Sequence, residues 1–382
     1  MANKRRLNIS ELDFDRIKTN LKAYLKADPN FTDYDFEGSV LSSVLDVLTY
    51  NTFYNAFTAN AVINEVFLNT AQLHNNVVSH AKMLGYVPRS QTSAFTYLNI
   101  LVNAPIGSPA SLTMDRGTRF TTLVDSSTYQ FVNLEAVTIS PVNGVYQFNA
   151  VKVNQGELKT IRYIVDSSDN RQTFVIPENN VDISTIIVRV KETADSSNYS
   201  AYTKNSNVTN IDGNSQVYFV QEGLDGRYQI YFGDDIFGRR LLPGNLLEIE
   251  YLITDAEAAN GASSFSLADS IQGNTSVNVT SVDATGTESN SAAGGGDRES
   301  IDSIKYNAPL TFLSQNRVVT ADDYKATILN NYANVETITS WGGEENEPPE
   351  YGKVYISIKP KDAEALTPVQ KQFIVDTILR TK

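Results

Sequence analysis

Residues 36–88 read as helix, yet from Ser39 to Ala81 they hold only two formal charges, Asp46 and Glu65. A helix lying on a single core shows water a charged face. This one places Asn, Ser and Thr among Leu, Val, Phe and Tyr on almost every side. At about 100° per residue, Leu41, Val44, Leu45 and Leu48 fall in one arc, and Val47, Tyr50, Phe53, Tyr54 and Phe57 fill a second arc opposite. Two apolar arcs need two sets of partners, so the helix is expected between other helices, some from other chains. The 40–48 arc is expected to pack within the chain. Tyr50, Asn51, Phe53, Tyr54, Asn55 and Phe57 are expected to meet another subunit. Asn51, Asn55, Asn60, Asn64 and Asn69 interrupt the apolar run, which excludes a bilayer span. As amides buried in a bundle they must be hydrogen-bonded, which fixes register and partner.

Composition narrows the function classes. A chain of 382 residues can hold two or three domains with ordinary cores. Its net charge of −13 and pI near 4.7 argue against a nucleic-acid surface and against an anionic membrane. The absence of cysteine excludes disulfides and thiolate metal sites, and the two histidines, His74 and His80, are too few for a His-based zinc centre. No apolar core follows the basic start at residues 1–6, so a soluble protein made without secretion is expected.

The order of patterns predicts an α+β chain. An N-terminal helical bundle segment (1–90) precedes an antiparallel, sandwich-like β domain (91–262), a Ser/Gly/Asn-rich linker or excursion (263–300) and a C-terminal split βαβ-like α/β domain (301–382). Residues 10–26 form an amphipathic helix with Ser10 as cap and Phe14, Ile17, Leu21, Tyr24 and Leu25 as its stripe. After a loop at 28–34, the long helical stretch divides around 60–70. Thr70 then caps a last helix at 71–84, which Gly85 ends. From Ala94 the period falls to two, with strands expected at 95–102, 119–123, 128–134, 137–140, 145–153, 160–165, 185–191, 216–221, 226–233 and 246–254. Within 263–300, alternating Val277, Val279 and Val282 suggest that part of it pairs as a strand. Thr320 opens a helix running to about 330, strands follow at 335–341 and 353–360, and Thr367-Pro368 opens a final helix with Val369, Phe373, Ile374 and Ile378 as its stripe. A further strand is expected beyond Lys382 to complete the split βαβ pattern.

No constellation carries chemistry. Asp234 and Asp235, with Asp225 nearby, match no calcium loop and sit beside glycines, as tight-turn residues do. The run from Gly294 to Gly296 lacks the preceding strand and following Lys-Ser/Thr of a phosphate loop. His74 and His80, six apart, face roughly opposite ways on a helix and cannot share a metal. No Gly-x-Ser-x-Gly elbow occurs. No catalytic, cofactor or metal residue is therefore assigned.

Three stretches in order resemble a known family. They are Phe31-Thr-Asp-Tyr-Asp-Phe-Glu-Gly-Ser39 with Leu45-Asp-Val-Leu-Thr-Tyr-Asn51 and Ser79–Tyr86 behind; Asp225-Gly-Arg-Tyr-Gln-Ile-Tyr-Phe-Gly-Asp-Asp-Ile-Phe-Gly238 with Pro243-Gly244; and Asn316–Tyr324 with Trp341-Gly-Gly-Glu-Glu345 and Pro348-Pro-Glu-Tyr-Gly352. Together they resemble the baseplate wedge proteins, inner-ring subunits, of T-even-like contractile-tailed bacteriophages, within the baseplate-J-like group. The resemblance implies a structural virion protein of the tail baseplate, assembled in the host cytoplasm and without catalysis or cofactor. It implies partners too: a second copy, a larger wedge subunit sharing a helical bundle, and neighbouring wedge and sheath-initiator proteins. It places Trp341 in a domain facing neighbouring copies. The readings left beside it are a carbohydrate- or receptor-binding β module on a helical stalk, and a tail-associated cell-wall hydrolase.

Overall fold

The computed structural model describes residues 13–26, 40–103, 109–166, 173–205, 211–223, 225–274, 277–287, 289–314, 317–332, 334–360, 365–366 and 368–380. They form two compact units that divide between Met83 and Leu84, somewhat before the expected boundary at 90.

The first unit is helical, with α1 (Phe14–Lys26), α2 (Val40–Glu65) and α3 (His74–Met83). Asp13, not Ser10, caps α1: its Oδ1 accepts from the amides of Asp15 and Arg16 at 3.0 and 3.1 Å, meeting two of the four orphan donors of a helix start. Ser10, the 28–34 loop and the stretch 36–39 lie outside the described residues. The α1 stripe is narrower than expected, with Ile17 buried and Tyr24 out in solvent. Phe14 meets Phe53 of α2 edge to face at 6.5 Å, and Lys18 pairs with Asp46, so the two helices run antiparallel. α2 continues through Asn60 and stops at Glu65. Its next residues hold the carbonyls left free at that end: Thr70 Oγ1 donates to Asn64 O at 2.6 Å, so Thr70 is not the cap of α3. The Glu65 carboxylate does that work instead, accepting from Gln72 N (2.9 Å), Leu73 N (3.2 Å) and Asn76 Nδ2 (2.9 Å).

The second unit holds two large sheets. In the first, the strand order is Phe265–Leu267, Arg119–Val124, Ser127–Asn133, Val145–Gln155, Phe95–Asn103 and Val277–Val282, every pair antiparallel. In the second it is Glu157–Ile164, Leu246–Ile253, Val181–Lys191, Ser200–Lys204, Val217–Glu222, Tyr228–Phe232 and Thr173–Val175. One pair here, Ser200–Lys204 with Val217–Glu222, is parallel, against the antiparallel expectation. The α+β class holds, and the sandwich-like β part consists of two sheets, each with a core of its own. Leu98, Ile100, Phe120, Phe131 and Phe148 centre one, and Val188, Tyr218, Ile230, Leu247 and Ile249 the other. Between them runs a polar join. Asp182 Oδ2 accepts from Ser93 N and Oγ, both at 2.8 Å, and Asn154 Nδ2 donates to the same Ser93 hydroxyl at 2.9 Å.

The segment 263–300, expected as a linker or excursion, belongs to the first sheet. Phe265–Leu267 and Val277–Val282 form its two edges. The glycine run is packed: Thr92 and Gly296 exchange both backbone bonds, and the Asn260 side chain both donates to and accepts from the Gly295 backbone at 3.0 Å. A Cβ on Gly295 would lie 2.2 Å from the Ala256 carbonyl oxygen, so only glycine fits.

The C-terminal part comprises α4 (Ile301–Ser314), α5 (Ala321–Asn331), the antiparallel strands Thr337–Gly342 and Val354–Lys359, and α6 (Pro368–Phe373), continued as a π-helical turn at Ile374–Leu379. Thr320 and Asp323 form the full reciprocal capping box of α5. Ile328, Tyr332, Val335, Ile338, Ile374 and Ile378 make a core of their own. Thr367 and the side chain of Val369 lie outside the described residues. α4 has no counterpart in the sequence reading, because Pro309 inside it masks its helical pattern.

Candidate functional site

α2 has two faces of opposite character. Its inner face carries Ser42, Leu45, Thr49, Asn60 and Asn64 buried, with Phe53 and Ala56 half-buried between them. The buried polar groups are hydrogen-bonded: Thr49 Oγ1 donates to Leu45 O (2.7 Å) and Asn64 Nδ2 to Asn60 O (2.6 Å). Large apolar side chains are concentrated instead on the outside. Val47, Tyr50, Tyr54, Phe57 and Ala61 follow one another at steps of three and four and are all exposed. That is the spacing of a coiled-coil seam. Tyr54 lies nine residues from Leu45, about 180° around the helix, so the outer seam is opposite the inner one.

The structure redistributes the expected faces. Val40, Val44 and Leu48 are exposed, so the 40–48 arc does not pack inward; of that arc Leu45 alone is buried. Ser42 and Thr49 take buried places on the inner face instead. Phe53, expected at the partner face, belongs inside against Phe14. Tyr50 and Tyr54 stack on each other at 6.5 Å on the outside, and Asn51 and Asn55 flank them. Val47, which periodicity already places in the second arc, and Ala61 complete the outer seam; strict three-four spacing was the signal available for Ala61.

The outer seam is electrically quiet. The two charges of α2 are both engaged within the unit, Asp46 with Lys18 and Glu65 at the start of α3. Its threonine hydroxyls and the Asn55 amide are bonded within the helix. Thr52 and Thr58 donate back to the carbonyls of Leu48 (2.8 Å) and Tyr54 (2.9 Å), and Asn55 Nδ2 donates to Asn51 Oδ1 (2.8 Å). Burying such a face therefore strips water from few unmet polar groups.

Trp341 belongs to the second unit, at the end of Thr337–Gly342. It is half-buried, stacked on Tyr355 at 5.8 Å, with Nε1 donating to Asn346 Oδ1 at 2.9 Å. His80 Nε2 lies 2.9 Å from Glu65 O at the end of α2. Asp234 Oδ1 accepts from the amides of Ile236 (3.2 Å) and Phe237 (3.0 Å), as a turn residue does. Among the described residues no group of three or more His, Asp or Glu side chains is placed to hold a metal ion, and no helix is long and apolar enough to cross a membrane.

Three domains described for one protein family align with this chain in order, and between them they cover more than half of it. Residues 13–86 match the helical domain of "Baseplate wedge protein gp6-like", 160–252 the third domain of "Bacteriophage baseplate wedge protein gp6", and 320–380 C-terminal domain I of "Baseplate structural protein gp6". The chain belongs to the gp6-like baseplate wedge protein family. "Baseplate wedge protein gp6" of Enterobacteria phage T4 is 30% identical over 380 residues, covering 94% of this chain and 56% of that protein. The chain thus spans little more than half the length of that relative. Membership places it in the tail baseplate of a virion. The wedge-family domains coincide with the structural divisions: the first takes in α1 to α3, the second the larger sheet, and the last α5 to α6. A chain of the anti-feeding prophage baseplate, solved by cryo-EM with six-fold symmetry, covers 93% of this chain and 72% of its own length at 9% identity and a TM-score of 0.31, too low for any fold or partner to be carried over.

Proposed function

We propose that this chain is a non-enzymatic structural subunit of a phage tail baseplate wedge, joined to other subunits through the outer seam of α2. The observation that carries the reading is the exposed three-four stripe Val47, Tyr50, Tyr54, Phe57 and Ala61, uncharged and flanked by Thr52, Asn55 and Thr58 bonded within the helix, in a chain of net charge −13. Identical acidic chains repel each other unless they meet on a face without charge, and a helix with two opposed seams fits the middle of a bundle. The partners are a second copy of the chain and a larger wedge subunit sharing the bundle, with neighbouring wedges and sheath-initiator proteins further out. Tyr50, Asn51, Tyr54, Asn55 and Phe57 form the bundle contact. Trp341 serves contacts to neighbouring copies. The wedges so joined form a ring around the hub and support sheath assembly and contraction.

The test is co-expression with the larger wedge subunit of the same phage, followed by sizing and mass measurement. A stable complex containing two copies of this chain is expected. A chain that stays monomeric at high concentration and ignores that subunit overturns the reading, and turnover of peptidoglycan by the purified chain overturns its non-enzymatic part.

A further inference from the structure

Within the C-terminal module, residues 301–380, α5, the two strands and the final helix share a core of their own, and a cluster of polar contacts ties the module to the preceding chain. It converges on one buried carboxylate, Glu299, only 3% exposed. Oε2 accepts from Tyr86 Oη at 2.7 Å and from Arg89 N at 3.0 Å; Oε1 accepts from Ser303 Oγ at 2.7 Å and Asn307 Nδ2 at 2.8 Å. One oxygen thus holds the 86–89 segment and the other holds α4. Glu299 N donates to Arg89 O at 3.1 Å, and Arg89 Nη1 donates to Leu329 O in the last turn of α5 at 2.9 Å. Burial, reinforced by the Glu299 charge, pushes the Tyr86 hydroxyl far above its ordinary range, so it stays protonated and donating. Next to this cluster, Arg298 Nη2 donates to the carbonyls of Asn179 (2.9 Å) and Gly226 (2.8 Å), keeping the strand side of the joint fixed. Beside these polar contacts Phe95 meets Phe373 at 5.3 Å, and Lys152 Nζ lies 5.4 Å over the same Phe373 ring.

We propose that Glu299 is a latch. Closed, it docks the C-terminal module on residues 86–89. Open, it lets the module turn as a rigid body about residues 296–300, while both β cores and the module's own core stay folded. Contacts made of a few converging hydrogen bonds open locally at far smaller cost than an apolar core, and removing one partner of a buried carboxylate unsettles the whole set. The inference stands on this geometry and is independent of the wedge reading.

Hydrogen exchange on the full chain tests it, with Tyr86→Phe, which removes one donor, and Glu299→Gln, which keeps the shape. In both variants the amides of 86–89 and of the first turns of α4 should exchange about tenfold faster or more, with Phe95–Asn103 and Val145–Gln155 unchanged. Trp341, the single tryptophan, lies within the module, and its emission should not move. Faster exchange across the β cores, or a shift of Trp341 emission in step with the opening, overturns the latch, because Glu299 would then only stabilise the fold. Unchanged exchange in Tyr86→Phe overturns it as well, even where Glu299→Gln fails to fold.

Discussion

Replacing Tyr54 by alanine separates the outer seam from the fold. Tyr54 keeps 59% of its surface exposed in the isolated chain. A tyrosine offers about 200 Å², so about 120 Å² remains for a partner to cover. At roughly 25 cal/mol per Å² that area is worth about 3 kcal/mol, or about 2 once the retained Cβ and the polar hydroxyl are discounted. Affinity for a partner helix should therefore fall about 30- to 150-fold. The stability of the free chain should stay within about 0.5 kcal/mol, since an exposed side chain contributes little to its own fold. Leu45→Ala is the contrasting change: Leu45 is 3% exposed on the inner seam, and its truncation should lower stability by about 2–5 kcal/mol. Titration calorimetry against the larger wedge subunit reads the first quantity and urea unfolding the second. An affinity loss below threefold for Tyr54→Ala, or an equal loss of stability, would refute the assignment of the two faces.

Further outcomes follow from other parts of the molecule. Thr320→Ala removes the capping box of α5 and should destabilise the C-terminal module by about 1 kcal/mol, seen as an earlier Trp341 fluorescence transition on heating. Gly295→Ala forces a methyl against the Ala256 carbonyl and should leave the chain insoluble or strongly destabilised; Gly261→Ala meets open space and should lose only about 1–2 kcal/mol, from its positive φ. The Arg119 guanidinium, hydrogen-bonded to Asp269, holds that carboxyl below the ordinary aspartate range. Because the folded value is depressed, the stabilisation is complete above about pH 4, the unfolded aspartate value, and fades as the pH falls through the folded one. The gap in urea midpoint between wild type and Asp269→Asn should accordingly close on acidification; a gap independent of pH would discount the pair.

Much of the fold was readable where local chemistry decides it. Thr320 starts its helix as expected, Gly85 takes the left-handed conformation expected after a helix, and Asn143 and Gly144 both turn to positive φ between the strands Val137–Ile139 and Val145–Gln155. Apart from α4, whose pattern Pro309 hides, the larger misses share a cause: each depends on a partner distant in sequence. Composition made 263–300 look like a linker, because Ser, Thr and Gly hide strands that gain their meaning from Phe95–Asn103 and Arg119–Val124. Periodicity revealed two faces on α2 but could not say which one α1 would cover. The inner face took Ser42, Leu45, Thr49 and Phe53, leaving Tyr50, Tyr54 and Phe57 outside. Glu299 gave no signal at all, since its four donors come from positions as far apart as Tyr86 and Asn307.

The two edges of the first sheet are supplied by one late stretch of chain, with Phe265–Leu267 at one side and Val277–Val282 at the other. During synthesis the four inner strands emerge first, complete by Gln155, and must wait with both flanks open while more than a hundred further residues are made. Open flanks are templates for unwanted pairing. The chain therefore passes through a long interval of vulnerability that ends abruptly, since both sides are sealed within a span of fewer than twenty residues. A ribosome stalled between those two points would release a species most prone to aggregate, and one emerging just beyond Val282 would release a sheet already closed.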